Sequence, residues 1–126
     1  MDALKISGLH AYYGKAHIIQ GIDLAIGRGQ IVGLFGRNGA GKTTLLRSIM
    51  RLVPRVHGEV ALFGQRISDL STDARARAGI GYMTQDMRVF PELTVAENCR
   101  VAANAVPSPQ PLDEVLTIIP ELREHF

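Results

Sequence analysis

Hydrophobic and polar residues alternate with a period of two near the start of the chain. Leu4 and Ile6 alternate with Lys5 and Ser7, and the same alternation returns at residues 22–26. This period is typical of strands with one buried face, so both segments are predicted to form an antiparallel edge. Residues 31–35, IVGLF, are instead apolar almost throughout. That run predicts a strand buried on both faces of a parallel sheet.

The spacing of hydrophobic residues becomes that of a helix after Lys42. Leu45, Ile49 and Leu52 recur at the spacing of one helix face, and Pro54 is suited to end the helix. Three arginines fall together on another side of this predicted helix, where we expect solvent: Arg47, Arg51 and Arg55.

Strand and helix patterns continue to alternate through the rest of the chain. Residues 58–64 and 79–83 are predicted as strands, and residues 71–79 as a short surface helix between them. The phrase TVAE predicts a capping box, in which Thr94 and Glu97 exchange hydrogen bonds at the start of a helix. A last short helix is predicted over residues 113–119. This order of elements indicates an α/β fold.

Composition narrows the class of protein. The chain has 126 residues, 46% of them hydrophobic and 21% charged, with a net charge of +2. These values are typical of a globular domain, and the scattered arginines argue against a nucleic-acid partner. A single cysteine, Cys99, allows no internal disulfide and favours a reducing compartment. We find no secretory signal and no apolar run of the roughly 20 residues that a membrane span needs.

Residues 36–44, GRNGAGKTT, contain the phosphate-loop motif G-x-x-x-x-G-K-[ST] between the apolar run and the amphipathic helix. Glycines let the backbone approach phosphates, and the helix N-terminus adds unpaired N–H groups. Lys42 is predicted to neutralise the β- and γ-phosphates and Thr43 to ligate Mg²⁺. The residues predicted to contact the nucleotide are Gly36, Arg37, Asn38, Gly39, Ala40, Gly41, Lys42, Thr43 and Thr44.

The motif alone leaves small-molecule kinases, GTPases and transport ATPases open. Metabolite kinases commonly carry the loop on the first strand of the chain, whereas here strand-like sequence precedes it. The phrases AYYG, HGEVALFGQRI, GIGYMTQ and FPELTVAEN around the loop resemble the nucleotide-binding subunit of ABC transporters, and most of all importers of branched-chain amino acids or urea. Gln30 and Thr84 depart from that family's usual glutamate and proline.

The resemblance implies a P-loop NTPase core with an antiparallel β edge over residues 1–93, and the beginning of a helical subdomain over residues 94–126. It implies ATP as the nucleotide and two further site residues. Tyr13 would stack on adenine, with Tyr12 as the competing choice. Gln85, at the glutamine-loop position, would complete the Mg²⁺ shell and sense the γ-phosphate.

The resemblance also implies partners and a location. A second ATP-binding subunit, identical or different, would close on the nucleotide, and permease subunits would hold the protein at the inner face of the cell membrane. The residues of this chain do not identify the transported substrate.

Several groups that this family uses are not found in the sequence: an Asp-Glu pair after an apolar run, a later histidine and a signature loop. We therefore expect an N-terminal fragment, inactive in hydrolysis by itself, whose residues 31–35 would lack flanking strands and expose apolar faces. Two alternatives stay open. The chain is a P-loop phosphotransferase with a lid after Thr94, or a nucleotide-binding module without catalysis.

Overall fold

A computed structural model describes residues 1–37, 39, 41–84, 86, 89–104 and 111–126. These residues form two units, Met1–Arg75 and Ala76–Phe126. Within the described ranges, no helix combines the length and the apolar character that crossing a bilayer requires. The domain boundary after residue 93 stays a prediction.

The first unit is built on a four-stranded antiparallel sheet in the order β2-β1-β3-β4. Its strands are β1 (Asp2–Tyr13), β2 (Ala16–Gly27), β3 (Arg55–Leu62) and β4 (Gln65–Arg66). The predicted antiparallel edge and the strand over residues 58–64 are thereby confirmed. The alternating apolar positions explain the pairing, because each strand turns one row of side chains into the core.

Helix α1 (Lys42–Ile49) packs on this sheet. The largest fully buried side chains are Ile6 and Leu9 of β1, Val60 of β3 and Ser48 of α1, each no more than 2% exposed. Leu45 and Ile49 are the buried apolar positions of α1, as the helical period predicted. The sheet and its core therefore fix where α1 begins.

The end of α1 differs from the prediction. The helix stops at Ile49 because Arg51 takes a left-handed backbone conformation, with φ of 58°. The Arg51 N–H donates to the Ser48 carbonyl at 3.0 Å and the Leu52 N–H to the Arg47 carbonyl at 2.8 Å, which is a Schellman motif. Arg51 and Arg55 consequently lie outside the helix, and the predicted row of three arginines on one helix face is wrong.

Residues 31–35 are the largest correction to the sequence analysis. They form no strand, and Ile31 and Phe35 are 101% and 91% exposed. An apolar run becomes a buried strand only where neighbouring strands accept its hydrogen bonds and cover its faces. No strand pairs with it among the described residues.

The second unit is mainly helical. Helix α2 (Thr72–Arg77) leads into it from the first unit, and α3 (Val95–Asn104), α4 (Leu112–Ile118) and a 3₁₀ helix (Pro120–His125) follow. All three predicted helices of this region are therefore present. The predicted strand over residues 79–83 is wrong, because no described strand lies beside it to complete a ladder.

The capping box at α3 is confirmed. The Glu97 N–H donates to the Thr94 hydroxyl at 3.1 Å, and the Thr94 N–H donates to the Glu97 carboxylate at 2.9 Å. Asn98 adds to this by donating to the carbonyls of Phe90 and Leu93, at 3.1 and 3.3 Å. The turn before α3 is thus held by side chains close in sequence, which explains why the sequence predicts it.

Candidate functional site

The loop of residues 36–44 joins the exposed segment 31–35 to the first turn of α1. Gly39 and Gly41 have φ of 85° and 96°, in the left-handed region that favours glycine. Gly41 is the residue that caps α1, and its carbonyl accepts the first helical hydrogen bond, from Leu45 at 2.8 Å. Two residues of the predicted site, Asn38 and Ala40, lie outside the described residues. The left-handed turn is therefore present at two of the three described glycines of the loop, Gly39 and Gly41, and not at Gly36.

Gly41 also brings the loop close to the sheet. A Cβ atom at this position would lie 3.1 Å from Cδ1 of Ile19, a residue of β2 that is 2% exposed. A side chain here would require Ile19 to move by a few tenths of an ångström, besides being strained by the positive φ. The second defining glycine of the motif thus serves packing as well as backbone conformation.

Lys42 holds a positive charge across the loop. Its ammonium group donates a hydrogen bond to the carbonyl of Gly36, so the first and last parts of the loop are tied together. The Lys42 side chain is half-buried, whereas Gly36 and Arg37 are exposed. A polyanion that enters the loop would therefore meet the Lys42 ammonium group and the backbone of Gly36 together.

The first turn of α1 adds a second source of positive potential. No acidic residue lies in this turn, and no side chain caps it. Its first N–H groups have no partner within the helix, so they are available to phosphate oxygens. Thr43 is exposed in this turn, which leaves its hydroxyl accessible to a metal ion, whereas Thr44 is half-buried. The first turn therefore fits a phosphate group with a bound cation.

Tyr12 and Tyr13, the two candidates for stacking on adenine, have different surroundings in the structure. The Tyr12 ring stacks on His17, with ring centres 4.2 Å apart, and the Arg55 guanidinium lies 4.1 Å from its centre. Tyr13 points to the other face of β1, at the strand end, and is 39% exposed. The faces of the Tyr12 ring are already used in packing, which favours Tyr13 for a ligand.

Strand β2 places Tyr13 at the same end of the sheet as the loop. Tyr13 pairs with Ala16, and Ile18 and Ile19, two and three residues further along β2, lie against Gly41. The partner of Tyr13 on β2 is thus two and three residues from the positions that contact Gly41, and the assignment of Tyr13 to the site stays a prediction. Gln85, the other predicted site residue, lies outside the described residues, so its place near Mg²⁺ stays a prediction.

Metal binding by protein groups alone has little support. The described part of the chain holds no cluster of three or more His, Cys, Asp or Glu side chains suited to a metal ion. Three of the four histidines contact another ring; His10 and His17, for example, have ring nitrogens 3.0 Å apart. Among the described residues of the loop, Thr43 offers an exposed hydroxyl for a cation.

One residue that positions α1 was missed by the sequence analysis. Arg75 of α2 was predicted to lie on a surface helix, but it is 2% exposed. Its guanidinium donates to the carbonyls of Ile49, Ser68 and Leu70 at 2.7, 2.9 and 3.1 Å. Burial and the nearby Arg51 charge lower the pKa of Arg75. A cation at the C-terminal end of α1 stabilises the helix dipole, so Arg75 anchors the helix that carries Lys42.

The chain is similar to a large group of known proteins. A family model described as "ABC transporter" matches residues 19–125. The "Probable branched-chain amino acid transport ATP-binding protein LivF" of Archaeoglobus fulgidus is 38% identical over 123 residues, which cover 95% of this chain and 52% of LivF. The lipopolysaccharide export system ATP-binding protein LptB of Escherichia coli K12 is 39% identical over 98 residues, covering 78% and 41%.

Two further similarities extend this group. The phosphate import ATP-binding protein PstB of Pyrococcus furiosus is 37% identical over 121 residues, covering 89% of this chain and 48% of PstB. A solved structure described as an ATP-binding subunit of an ABC transporter is 30% identical, with a TM-score of 0.69, covering 82% of this chain and 42% of that one. This confirms the predicted α/β P-loop fold with its antiparallel edge. The chain spans about half the length of the curated relatives it matches.

Proposed function

The chain belongs to the ABC transporter family, and on this basis we propose that it binds Mg²⁺ and ATP at residues 36–44 as part of an ATP-binding subunit. The observation that carries the proposal is the geometry of the loop. Two left-handed glycines, the Lys42 ammonium on the Gly36 carbonyl and the uncapped first turn of α1 all lie within the nine residues of this loop.

Each group of the loop has a role in this proposal. Lys42 balances charge on the β- and γ-phosphates, and the backbone of residues 36–41 donates hydrogen bonds to them. The Thr43 hydroxyl ligates Mg²⁺, and Gln85 supplies a second oxygen by resemblance to the family. Arg37 and Thr44 flank the phosphates. The adenine ring stacks on Tyr13.

Comparison of the dissociation constants of ATP and AMP tests whether the β- and γ-phosphates supply most of the affinity. We expect Mg²⁺ and ATP to bind at least about 100-fold more tightly than AMP, because a hydrogen bond to a charged group contributes roughly 1.5–3 kcal/mol and AMP lacks two phosphates. Isothermal titration of the chain with each nucleotide measures both dissociation constants. Similar constants for ATP and AMP would contradict a phosphate cradle at residues 36–44.

Substitution of each tyrosine tests the adenine position. Stacking of a base on an aromatic ring is worth roughly 1–3 kcal/mol, so Tyr13→Ala is expected to raise the Kd for ATP about tenfold. Tyr12→Ala is the matched control: it should leave the Kd nearly unchanged and instead lower the melting temperature, because the contacts with His17 and Arg55 are lost. The reverse pattern would assign adenine to Tyr12.

The finer parts of the proposal concern the whole transporter. We propose that the subunit pairs with a second ATP-binding subunit and is held by permease subunits at the cytoplasmic face of the membrane. We further propose an amino-acid or urea importer, supported by the FPELTVAEN phrase and by the coverage of 95% of this chain in the alignment with LivF. Relatives named for lipopolysaccharide export and phosphate import are similar at nearly the same identity, so the class of substrate has weaker support than nucleotide binding.

For the 126 residues alone, we propose nucleotide binding without hydrolysis. Their sequence contains no Asp-Glu pair after an apolar run to hold Mg²⁺ and activate water. Steady release of phosphate from ATP by the purified chain would contradict this part of the proposal.

A further inference from the structure

A cavity of about 290 Å³ lies in the first unit beside β3 and β4. Its walls carry charged and polar side chains from four separate segments of the chain. Those that matter here are Arg51, Arg66 and Arg75, together with Glu59, Ser68 and Asp69. None of these six residues belongs to the predicted nucleotide site, so the cavity is a separate feature of the unit.

The charges in the cavity are not balanced within the described residues. Arg66 forms ion pairs with both carboxylates, Glu59 and Asp69. Arg51 and Arg75 form no ion pair in the part of the chain that the structure describes; their side chains donate hydrogen bonds to backbone carbonyls. Arg51 and Arg75 thus line the cavity without a carboxylate partner; Arg75 is 2% exposed, and each of its guanidinium nitrogens donates one hydrogen bond to a backbone carbonyl. A buried cation is stable only if it is paired or fully hydrogen-bonded.

The backbone at Arg51 gives an independent reason to assign its side chain a role. Position 51 is the C′ residue of the Schellman motif after α1, with φ of 58°. Glycine is the residue that suits this position, because a side chain is strained there. The strain is accepted at a residue whose guanidinium group lines the cavity and donates to the Asp69 carbonyl at 3.2 Å. Residues held in strained conformations tend to mark functional sites.

The carboxylates of the cavity restrict which anion fits. Hydrogen bonds from Arg66 and Ser68 lower the pKa of Glu59, so this group is an ionised acceptor at neutral pH. A fully deprotonated anion would be repelled by Glu59 and Asp69. An anion that keeps one proton can accept hydrogen bonds from the arginines and donate its own proton to a carboxylate.

We propose that this cavity is a second anion site, which binds soluble inorganic phosphate in a protonated form, held by Arg51 and Arg75 and donating its proton to Glu59 or Asp69. The site is independent of the nucleotide loop, because Arg75 contacts the opposite end of α1 from Lys42. Phosphate binding here would tie the end of α1 to the segment between β4 and α2.

The test is a phosphate titration of the whole chain in a Lys42→Ala background, which removes the main charge of the nucleotide loop. NMR follows the Nε–H signals of Arg51 and Arg75 at pH 7 and constant ionic strength. We expect saturable shifts with inorganic phosphate and at least about tenfold weaker binding of sulfate, which has no proton to donate.

Two substitutions make the test specific. Arg51→Gly removes the guanidinium and relieves the backbone strain, so it should fold well while raising the phosphate Kd by about tenfold or more. Arg77→Gln is the matched control, because it removes one positive charge from α2 outside the cavity. Arg77→Gln should keep the Kd for phosphate within about twofold of the parent value, because Arg77 is an exposed charge outside the cavity.

Three results would overturn the proposal. The first is a shift that does not saturate with phosphate. The second is equal binding of phosphate and sulfate, which would remove the role of the carboxylates. The third is binding to vesicles containing phosphatidic acid without binding of inorganic phosphate, which would indicate a lipid headgroup in place of a soluble ligand.

Discussion

Replacement of Lys42 by alanine is expected to raise the Kd for Mg²⁺ and ATP by at least about 100-fold, because charged hydrogen bonds to two phosphates are lost at roughly 1.5–3 kcal/mol each. The Lys42 ammonium also bridges the loop to the Gly36 carbonyl. The variant therefore removes both the charge and a contact that holds the loop ready for phosphate. Isothermal titration with ATP measures the loss.

The control for this variant is Lys5→Ala. Lys5 is exposed in the middle of β1, where it pairs with Ala25 and Ala61, so its removal subtracts the same charge away from the loop. Its Kd for ATP should stay within about twofold of the parent chain. An unchanged Kd in Lys42→Ala, or an equal loss in Lys5→Ala, would mean that the loop is not the phosphate site.

Replacement of Gly58 by alanine is expected to destabilise the first unit by at least about 3 kcal/mol, from steric overlap together with backbone strain. Gly58 lies in β3 with φ of 120°, and an added Cβ would lie 2.5 Å from the Gly8 carbonyl oxygen and 2.8 Å from the Leu9 Cα. Both are backbone atoms of β1, which cannot move aside as a side chain can. Leu9 is fully buried, so a shift of β1 would open the core.

Gly79→Ala separates the two causes of this loss. Gly79 has nearly the same φ, 116°, but no atom lies within 4 Å of a Cβ built on it. Only the backbone strain remains, so we expect Gly79→Ala to lower the free energy of unfolding by about 1–2 kcal/mol. Thermal unfolding followed by circular dichroism compares them, and Gly58→Ala should lower the melting temperature by at least about 10 °C. Similar losses of stability in both variants would rule out steric overlap as the cause of the effect at Gly58.

Much of the fold could be predicted because its signals are local. The alternation in β1, the helical period after Lys42 and the Thr94–Glu97 capping box all concern residues within a few positions of each other. The structure confirms these elements. The phosphate loop belongs to the same group, since its glycines, its lysine and the start of α1 are consecutive.

Residues 31–35 and 79–83 show the limit of such signals. Their composition favours strands, but a strand exists only where another segment completes its hydrogen-bond ladder. The helix that starts at Lys42 shows the same limit, since it ends at Ile49, before a left-handed turn at Arg51 that the helical period does not encode.

The sequence by itself determined the family, the phosphate-loop motif at residues 36–44 and the helix that starts at Lys42, because these depend on neighbouring residues. Only the tertiary structure decided which tyrosine is available, since Tyr12 is occupied by His17 and Arg55 from other strands. It also decided that Arg75 is buried against the end of α1 and that Gly58 must lack a side chain. These facts depend on contacts between residues far apart in the chain, and such contacts exist only after the strands have paired.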